Sequence, residues 1–274
     1  MMSGAIVYPP CSEDADASVL FIETSGCLPM CGHGTIGTVT AAIENAIIRP
    51  RIPGQLTLDV PAGKIRIEYQ QNGAKVEKVR IFNVASYLAH SEIVVNIPEM
   101  GELVVDISYG GNFYAIVDPQ KNFAGLEHFS VDHILHLSPI VRRIVDNAVD
   151  CIHPDDPTVS GVSHVLWTGT PTQPNAHARN AVFYGSRAID RSPCGTGTSA
   201  RMAQWAAKGK LNIGDDFVHE SIIGSIFEGR IEAATVVGEH DAIMPSVQGW
   251  ARVYGHNTIW VDSEDPYAHG FEVE

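Results

Sequence analysis

The strongest constraint on this chain is a five-residue motif that occurs twice. Residues 31–35 read Cys-Gly-His-Gly-Thr, and residues 194–198 read Cys-Gly-Thr-Gly-Thr. The copies differ only at His33 versus Thr196, and their cysteines lie 163 positions apart. Each copy runs directly into a helix-like stretch. Val19-Leu20-Phe21 precedes Cys31 at the same distance as Val182-Phe183-Tyr184 precedes Cys194. Each half therefore reads as strand, turn, cysteine, Gly-x-Gly and helix. The expected fold is α+β, with two pseudo-symmetric halves that each wrap a mostly antiparallel sheet around a central helix. The two cysteines then meet in the cleft between the halves.

The rest of the chain agrees with a sheet-rich fold. Short β-prone runs recur between scattered Gly and Pro residues, and Lys64-Ile65-Arg66-Ile67-Glu68 alternates as a half-exposed strand does. A last such run lies at 258–262. Three stretches read as helices: 35–48, 198–208, and 138–149, the last opened by Ser138-Pro139 as cap and first helical residue. The expected division is 1–97 plus a returning segment 258–274 for the first half, and 98–257 for the second. With 18 basic against 32 acidic side chains the net charge is −14, which argues against nucleic acid or anionic membranes as partners. No apolar run is long enough to span a bilayer, and the N-terminus lacks the features of a signal peptide, so a cytoplasmic location is expected. Five cysteines in a chain of 274 residues read as free thiols rather than as a disulfide framework.

The chemistry of the repeat follows from its place at a helix start. The first N–H groups of a helix have no internal partner, and with the helix dipole they form a site for an anion such as a carboxylate. Glycine there lets a ligand approach the backbone. A cysteine beside such a terminus has its thiolate favoured over the free value of about 8.5. Two such starts facing each other would cradle one carboxylate and place a sulfur on each side of the neighbouring carbon. This arrangement suits inversion at the α-carbon of an amino acid by two bases, Cys31 and Cys194. One thiolate takes the α-proton, the other thiol returns a proton to the opposite face, and backbone N–H groups stabilise the carbanion through its carboxylate. The pair holds one proton in total. No Schiff-base lysine, metal or other cofactor is required.

Two other readings of the motif are weaker. Gly32-His33-Gly34-Thr35-Ile36-Gly37 fits G-x-G-x-x-G formally, but the upstream strand ends well before it and no parallel βαβ pattern follows. Cys27, Cys31 and His33 are ligand types for a metal, yet no second Cys or His pair completes a tetrahedral set. Cys11, Cys27 and Cys151 lack the Gly-x-Gly context and read as ordinary structural residues.

With these residues in view, the chain resembles the proline racemase family, which also contains 4-hydroxyproline 2-epimerases and trans-3-hydroxyproline dehydratases. Residues 30–37 (MCGHGTIG) and 190–200 (DRSPCGTGTSA) look like its two signature blocks, and Ser108–Phe113 (SYGGNF) resembles a further segment. The resemblance implies a diaminopimelate-epimerase-like fold, a cofactor-independent two-base mechanism and a homodimer. It implies that Cys31 and Cys194 are the acid/base pair, that Gly32, His33, Gly195 and Thr196 hold the carboxylate, and that Asp190 binds the ring ammonium. Both blocks keep cysteine, whereas the dehydratase branch replaces one, which favours epimerisation. The resemblance also implies that His164 and Tyr184 place polar groups near an otherwise apolar ring pocket, which favours a hydroxylated substrate. The expected reaction converts trans-4-hydroxy-L-proline to cis-4-hydroxy-D-proline. Proline racemase, trans-3-hydroxy-L-proline dehydratase and an inactive amino-acid-binding fragment stand as alternatives. Family members carry an additional stretch before the segment that begins here at Gly4, so the first strands of the N-terminal half are expected to be absent.

Overall fold

A computed structural model describes residues 3–23 and 26–270. The first repeat unit comprises strands β2 (Ala17–Glu23) and β3 (Gly26–Leu28), helix α1 (Gly32–Glu44), and strands β4 (Gln55–Val60), β5 (Gly63–Asn72) and β6 (Lys75–Phe82), preceded by β1 (Gly4–Tyr8). Next come β7 (Ser86–Ile97), β8 (Gly101–Tyr109), β9 (Phe113–Val117), helix α2 (Val131–Ala148) and β10 (Val162–Gly169). The second repeat unit is β11 (Ala178–Tyr184), β12 (Ala188–Ile189), helix α3 (Gly195–Ala207), β13 (Asp216–Ser221), β14 (Ile226–Val237) and β15 (His240–Gly249). Among the described residues no helix is long and apolar enough to cross a membrane.

The pairing reproduces the repeat strand by strand. β3 folds back on β2 with Phe21 opposite Leu28, and β12 folds back on β11 with Phe183 opposite Ile189. β2 pairs in parallel with β4, as β11 does with β13. Each unit then continues as an antiparallel ladder, β4-β5-β6 in one and β13-β14-β15 in the other. The units join where β6 meets β15, with Phe82 opposite Ser246 and Val79 opposite Gly249. One sheet therefore runs β1-β2-β4-β5-β6-β15-β14-β13-β11-β10-β9-β8-β7, and β15 also touches β7.

Two apolar cores follow from this path. The first gathers Val19, Phe21, Ile36, Val39, Leu56, Leu58, Ile65 and Ile67 with Met202, Phe217 and Val247 from the second unit. The second is built on β7 to β11 and α2. We propose a junction ahead of β7 rather than at residue 97, because β7 pairs with β8 and adds Tyr87, Val95 and Ile97 to the second core.

Two local expectations change. α2 starts at Val131, capped by Ser130, whose hydroxyl accepts from the His133 N–H; Pro139 sits inside the helix. The buried stripe Ile134, Leu137, Val141 and Val145 explains this. Each such side chain contributes about 1.5–3 kcal/mol on burial, which together exceeds the cost of about 3 kcal/mol for an internal proline. Ser138 is used otherwise, accepting from Trp167 Nε1 at 2.8 Å. Residues 258–262 form no strand, and Ile259 and Trp260 are exposed.

Candidate active site

Both cysteines are N-cap residues. Cys31 caps α1 and Cys194 caps α3, and neither helix has a side-chain cap hydrogen bond. The first helical bonds run from Thr35 N–H to the Cys31 carbonyl at 2.9 Å and from Thr198 N–H to the Cys194 carbonyl at 2.7 Å. The N–H groups ahead of them have no partner within the helix and remain for a ligand. The helix starts meet at their first glycines. A Cβ built on Gly32 would lie 2.5 Å from Gly195 Cα, and one on Gly195 would lie 2.6 Å from Gly32 Cα. The second glycines clear the cysteines themselves. A Cβ on Gly34 would approach Cys31 Sγ to 3.0 Å, and one on Gly197 would approach the Cys194 Cβ to 3.1 Å. Gly37, the third position of the formal dinucleotide pattern, has open space around it. The repeated Cys-Gly-x-Gly is thus a contact motif between two helix ends.

Both sulfurs border one narrow pocket. It is lined by Cys31, His33, His164, Asp190, Cys194 and Thr196, with Glu23, Leu28, Met30, Val182 and Tyr184 completing the wall. Six of the eight expected site residues therefore share one cavity, and the other two, Gly32 and Gly195, form the contact beside it. A larger groove near Arg80 and Asp216 lies away from both cysteines.

The variable position of the repeat makes the two sides chemically different. His33 Nδ1 is 2.8 Å from Asp190 Oδ2. Burial opposes charge on this imidazole, but the Cys31 sulfur and the Asp190 carboxylate outweigh it and hold its pKa well above the usual value. Burial likewise works against the Asp190 carboxylate; His33 and two hydrogen bonds from Ser192 reverse that and lower its pKa. Asp190, the residue expected to bind the ring ammonium, is partnered here by His33 and Ser192.

On the opposite side Thr196 replaces histidine. Its Oγ1 lies 2.6 Å from the Tyr114 hydroxyl, which lies 3.1 Å from Cys194 Sγ. Burial, then the Asp190 charge, push the Cys194 thiol up to about 12, so this sulfur keeps its proton at neutral pH. Its backbone is also unusual, with φ 62° and ψ 118°, against φ −140° and ψ 106° at Cys31. A positive φ at a non-glycine costs on the order of 1–3 kcal/mol and persists where surroundings enforce it. The Ser192 hydroxyl, which accepts from the Cys194 N–H at 3.0 Å, and the Pro193 carbonyl, which accepts from Asn180, supply that constraint.

His164 stands opposite Tyr114 in the parallel β9–β10 pairing, with the rings stacked at 4.7 Å. Burial, then the Arg142 guanidinium, drive its pKa down to about 3, so it is a neutral imidazole with Nδ1 2.6 Å from the Ser163 hydroxyl. Tyr114, which contacts Cys194 and Thr196, and Asn112, which contacts Thr196, are not among the candidate residues that the motif reading gave. The signal was present in the SYGGNF segment, which forms the β8–β9 turn. A Cβ on Gly110 would lie 2.2 Å from the Thr196 carbonyl oxygen, and one on Gly111 would lie 2.9 Å from Met30 Cβ. That turn is wedged against both cysteine loops, which is why two glycines stand together there.

An α+β fold of two sheet-and-helix units with facing helix starts defines a class to which several solved structures also belong. Residues 1–272 match the proline racemase family, and the chain belongs to it. It is 65% identical over 273 residues to a 4-hydroxyproline 2-epimerase of Shewanella loihica, covering 100% of this chain and 82% of that protein. It is 70% identical over 274 residues to an uncharacterised protein of Vibrio parahaemolyticus, with the same coverage. A crystal structure of a hydroxyproline epimerase from Agrobacterium vitis with bound trans-4-hydroxy-L-proline superposes with a TM-score of 0.91 at 27% identity, covering 99% of this chain and 78% of that one.

Proposed function

We propose that this chain is a 4-hydroxyproline 2-epimerase that inverts the α-carbon of trans-4-hydroxy-L-proline by a two-thiol mechanism, without a cofactor. The observation that carries the reading is the contact of Gly32 with Gly195, which brings two uncapped helix starts and their cysteines onto one pocket. The substrate carboxylate sits against the N–H groups of both starts, where the two helix dipoles favour negative charge. The α-carbon then lies between the sulfurs. Burial keeps the proton on Cys194, so in one direction Cys31 accepts the α-proton. Cys194 delivers its proton to the opposite face. In the reverse direction the roles exchange. Charge that builds on the carboxylate oxygens of the planar intermediate is met by fixed N–H dipoles.

Asp190 receives the ring ammonium in place of part of its bond to His33, and the ion pair orients the carboxylate meanwhile. Leu28, Met30 and Val182 form the apolar side of the ring pocket. His164 and Tyr184 supply polar groups for the ring hydroxyl, which favours hydroxyproline over proline. Sequence identity of 65% to a named 4-hydroxyproline 2-epimerase supports the same substrate. We further propose a cytoplasmic homodimer. The test is turnover of proline, 3-hydroxyproline and 4-hydroxyproline stereoisomers followed by chiral chromatography, with Cys31→Ser and Cys194→Ser as controls. Interconversion of trans-4-hydroxy-L-proline and cis-4-hydroxy-D-proline, lost in both variants, is expected. Full rate in either variant refutes the two-thiol mechanism.

A further inference from the structure

Cys194 has a neighbour that Cys31 lacks. The Tyr114 hydroxyl, fully buried on β9, contacts Cys194 Sγ at 3.1 Å and Thr196 Oγ1 at 2.6 Å. Either contact alone leaves open which atom donates. Asn112 resolves the direction. Its side-chain amide is 2.8 Å from the Met30 carbonyl oxygen, which can only accept, so the atom facing it is the NH2 group. The same nitrogen lies 3.4 Å from Thr196 Oγ1 and presents its second hydrogen there. Thr196, having received a hydrogen, gives its own to the Tyr114 oxygen at 2.6 Å rather than to the Cys194 sulfur, which lies 3.7 Å away. The remaining Tyr114 hydrogen then points to the Cys194 sulfur.

We infer that Asn112, Thr196 and Tyr114 form an oriented hydrogen-bond chain that ends on the Cys194 sulfur and sets how readily that thiol gives up its proton. Tyr114 is its terminal positioning residue. The chain begins on the carbonyl of Met30, the residue before Cys31, so it ties the two cysteine loops together. Its catalytic meaning rests on the two-thiol reading above: in the direction where Cys194 is the base, the Tyr114 O–H steadies the thiolate. The charged groups facing this sulfur are Asp190 from the segment after β12, which opposes the thiolate, and His33 from α1, which favours it, and the Gly197 backbone N–H favours the thiolate too. His164 on β10 lies across the pocket and is neutral. Burial holds Tyr114 protonated far into the alkaline range, with the Cys194 charge adding to the effect, so the phenol remains a donor wherever the enzyme works.

The experiment measures carboxamidomethylation of the full chain by iodoacetamide at pH 8, with Cys31 and Cys194 followed separately by peptide mass spectrometry. Hydrogen bonds to charged groups are strong enough that losing one shifts proton affinity by about one pH unit, or tenfold in thiolate. In Tyr114→Phe, which keeps the ring stacked on His164, the Cys194 rate falls about tenfold and the Cys31 rate is unchanged. A purely structural role would loosen the pocket and raise both rates, which would overturn the inference. Site-specific replacement of Tyr114 by 3,5-difluorotyrosine, a stronger acid of nearly the same shape, raises the Cys194 rate. A Cys194 rate that neither falls in the first variant nor rises in the second also overturns it. This readout does not depend on turnover. If the wild-type chain fails to epimerise hydroxyproline while the alkylation rates move as stated, the functional reading fails and the hydrogen-bond chain stands.

Discussion

Gly32→Ala is the substitution that probes the contact between the helix starts. The added methyl carbon would lie 2.5 Å from Gly195 Cα and 3.1 Å from its carbonyl carbon. Ordinary contact begins near 3.4 Å, so the two starts must part by about 0.9 Å. Both obstacles are backbone atoms, and no side-chain rotation relieves them. Overpacking of this kind costs about 1–3 kcal/mol. For a chain of this size that lowers the melting temperature by several degrees, at about 2–4 °C per kcal/mol. The larger effect falls on catalysis. A misplacement of about 1 Å at a reacting centre costs on the order of a hundredfold in rate, or about 2.7 kcal/mol in barrier. Gly37→Ala is the control, since nothing lies within 4 Å of its added methyl. In a helix this change stabilises by up to about 1 kcal/mol and leaves turnover intact. Thermal unfolding and initial epimerisation rates test both variants. A Gly32→Ala protein with wild-type stability and turnover would show that the helix starts need not touch.

The two pocket histidines carry opposite pH signatures. His33 has a raised folded pKa, so the stability it contributes is fully present below about 6.5 and fades as pH rises through the folded value; the melting-temperature deficit of His33→Ala should therefore be larger at pH 6 than in strongly alkaline buffer, and a deficit that grows with pH contradicts the His33–Asp190 pair. His164, with a folded pKa of about 3, lets the unfolded chain bind more protons between pH 6.5 and 3, so it destabilises the fold as pH drops. His164→Phe should lose less of its melting temperature between pH 7 and 4 than the wild type, and its kcat/KM should fall about tenfold or more for hydroxyproline with a smaller change for proline. Arg201→Leu strips Asp118, held at a pKa of about 2 against its burial by this guanidinium, of a partner 2.7 Å away. The loss should be about 2 kcal/mol, below the 3–5 typical of fully buried pairs because Asp118 is 40% exposed, and chemical denaturation measures it.

The duplicated motif made the site legible because its geometry is local: a cysteine that caps a helix carries its own N–H cradle with it. The symmetry that brings the two copies together was legible too, since the upstream strands β2 and β11 repeat at the same spacing. Other parts of the fold hid behind broken patterns. β13 gives no alternating signal because His219, Glu220 and Ser221 are all buried; Thr198 bonds His219 Nδ1, Thr172 bonds Glu220 and Ser225 bonds Ser221, while His219 Nε2 has no partner. Such a strand violates apolar-in, polar-out alternation. β15 contains Pro245, which a central strand normally excludes; a bulge between Ile231 and Ala233 of β14 accommodates it, and its carbonyl accepts from Asn83. Tyr114 escaped notice because its role depends on contacts with Cys194 and Thr196, 80 and 82 positions away in sequence. Ser138-Pro139 misled because serine and proline mark helix starts, and only the stripe from Ile134 to Val145 shows that the helix began earlier.

The most direct measurement of the two-thiol claim is the position of label in the earliest product formed in heavy water. Substrate with protium at the α-carbon is converted to under a few per cent, and both epimers are analysed by mass spectrometry. With separate donors on the two faces, the product carries solvent deuterium and the unreacted substrate keeps its protium. A product that retains the original hydrogen would mean that a single group carries the proton from one face to the other, and the roles assigned to Cys31 and Cys194 would be wrong.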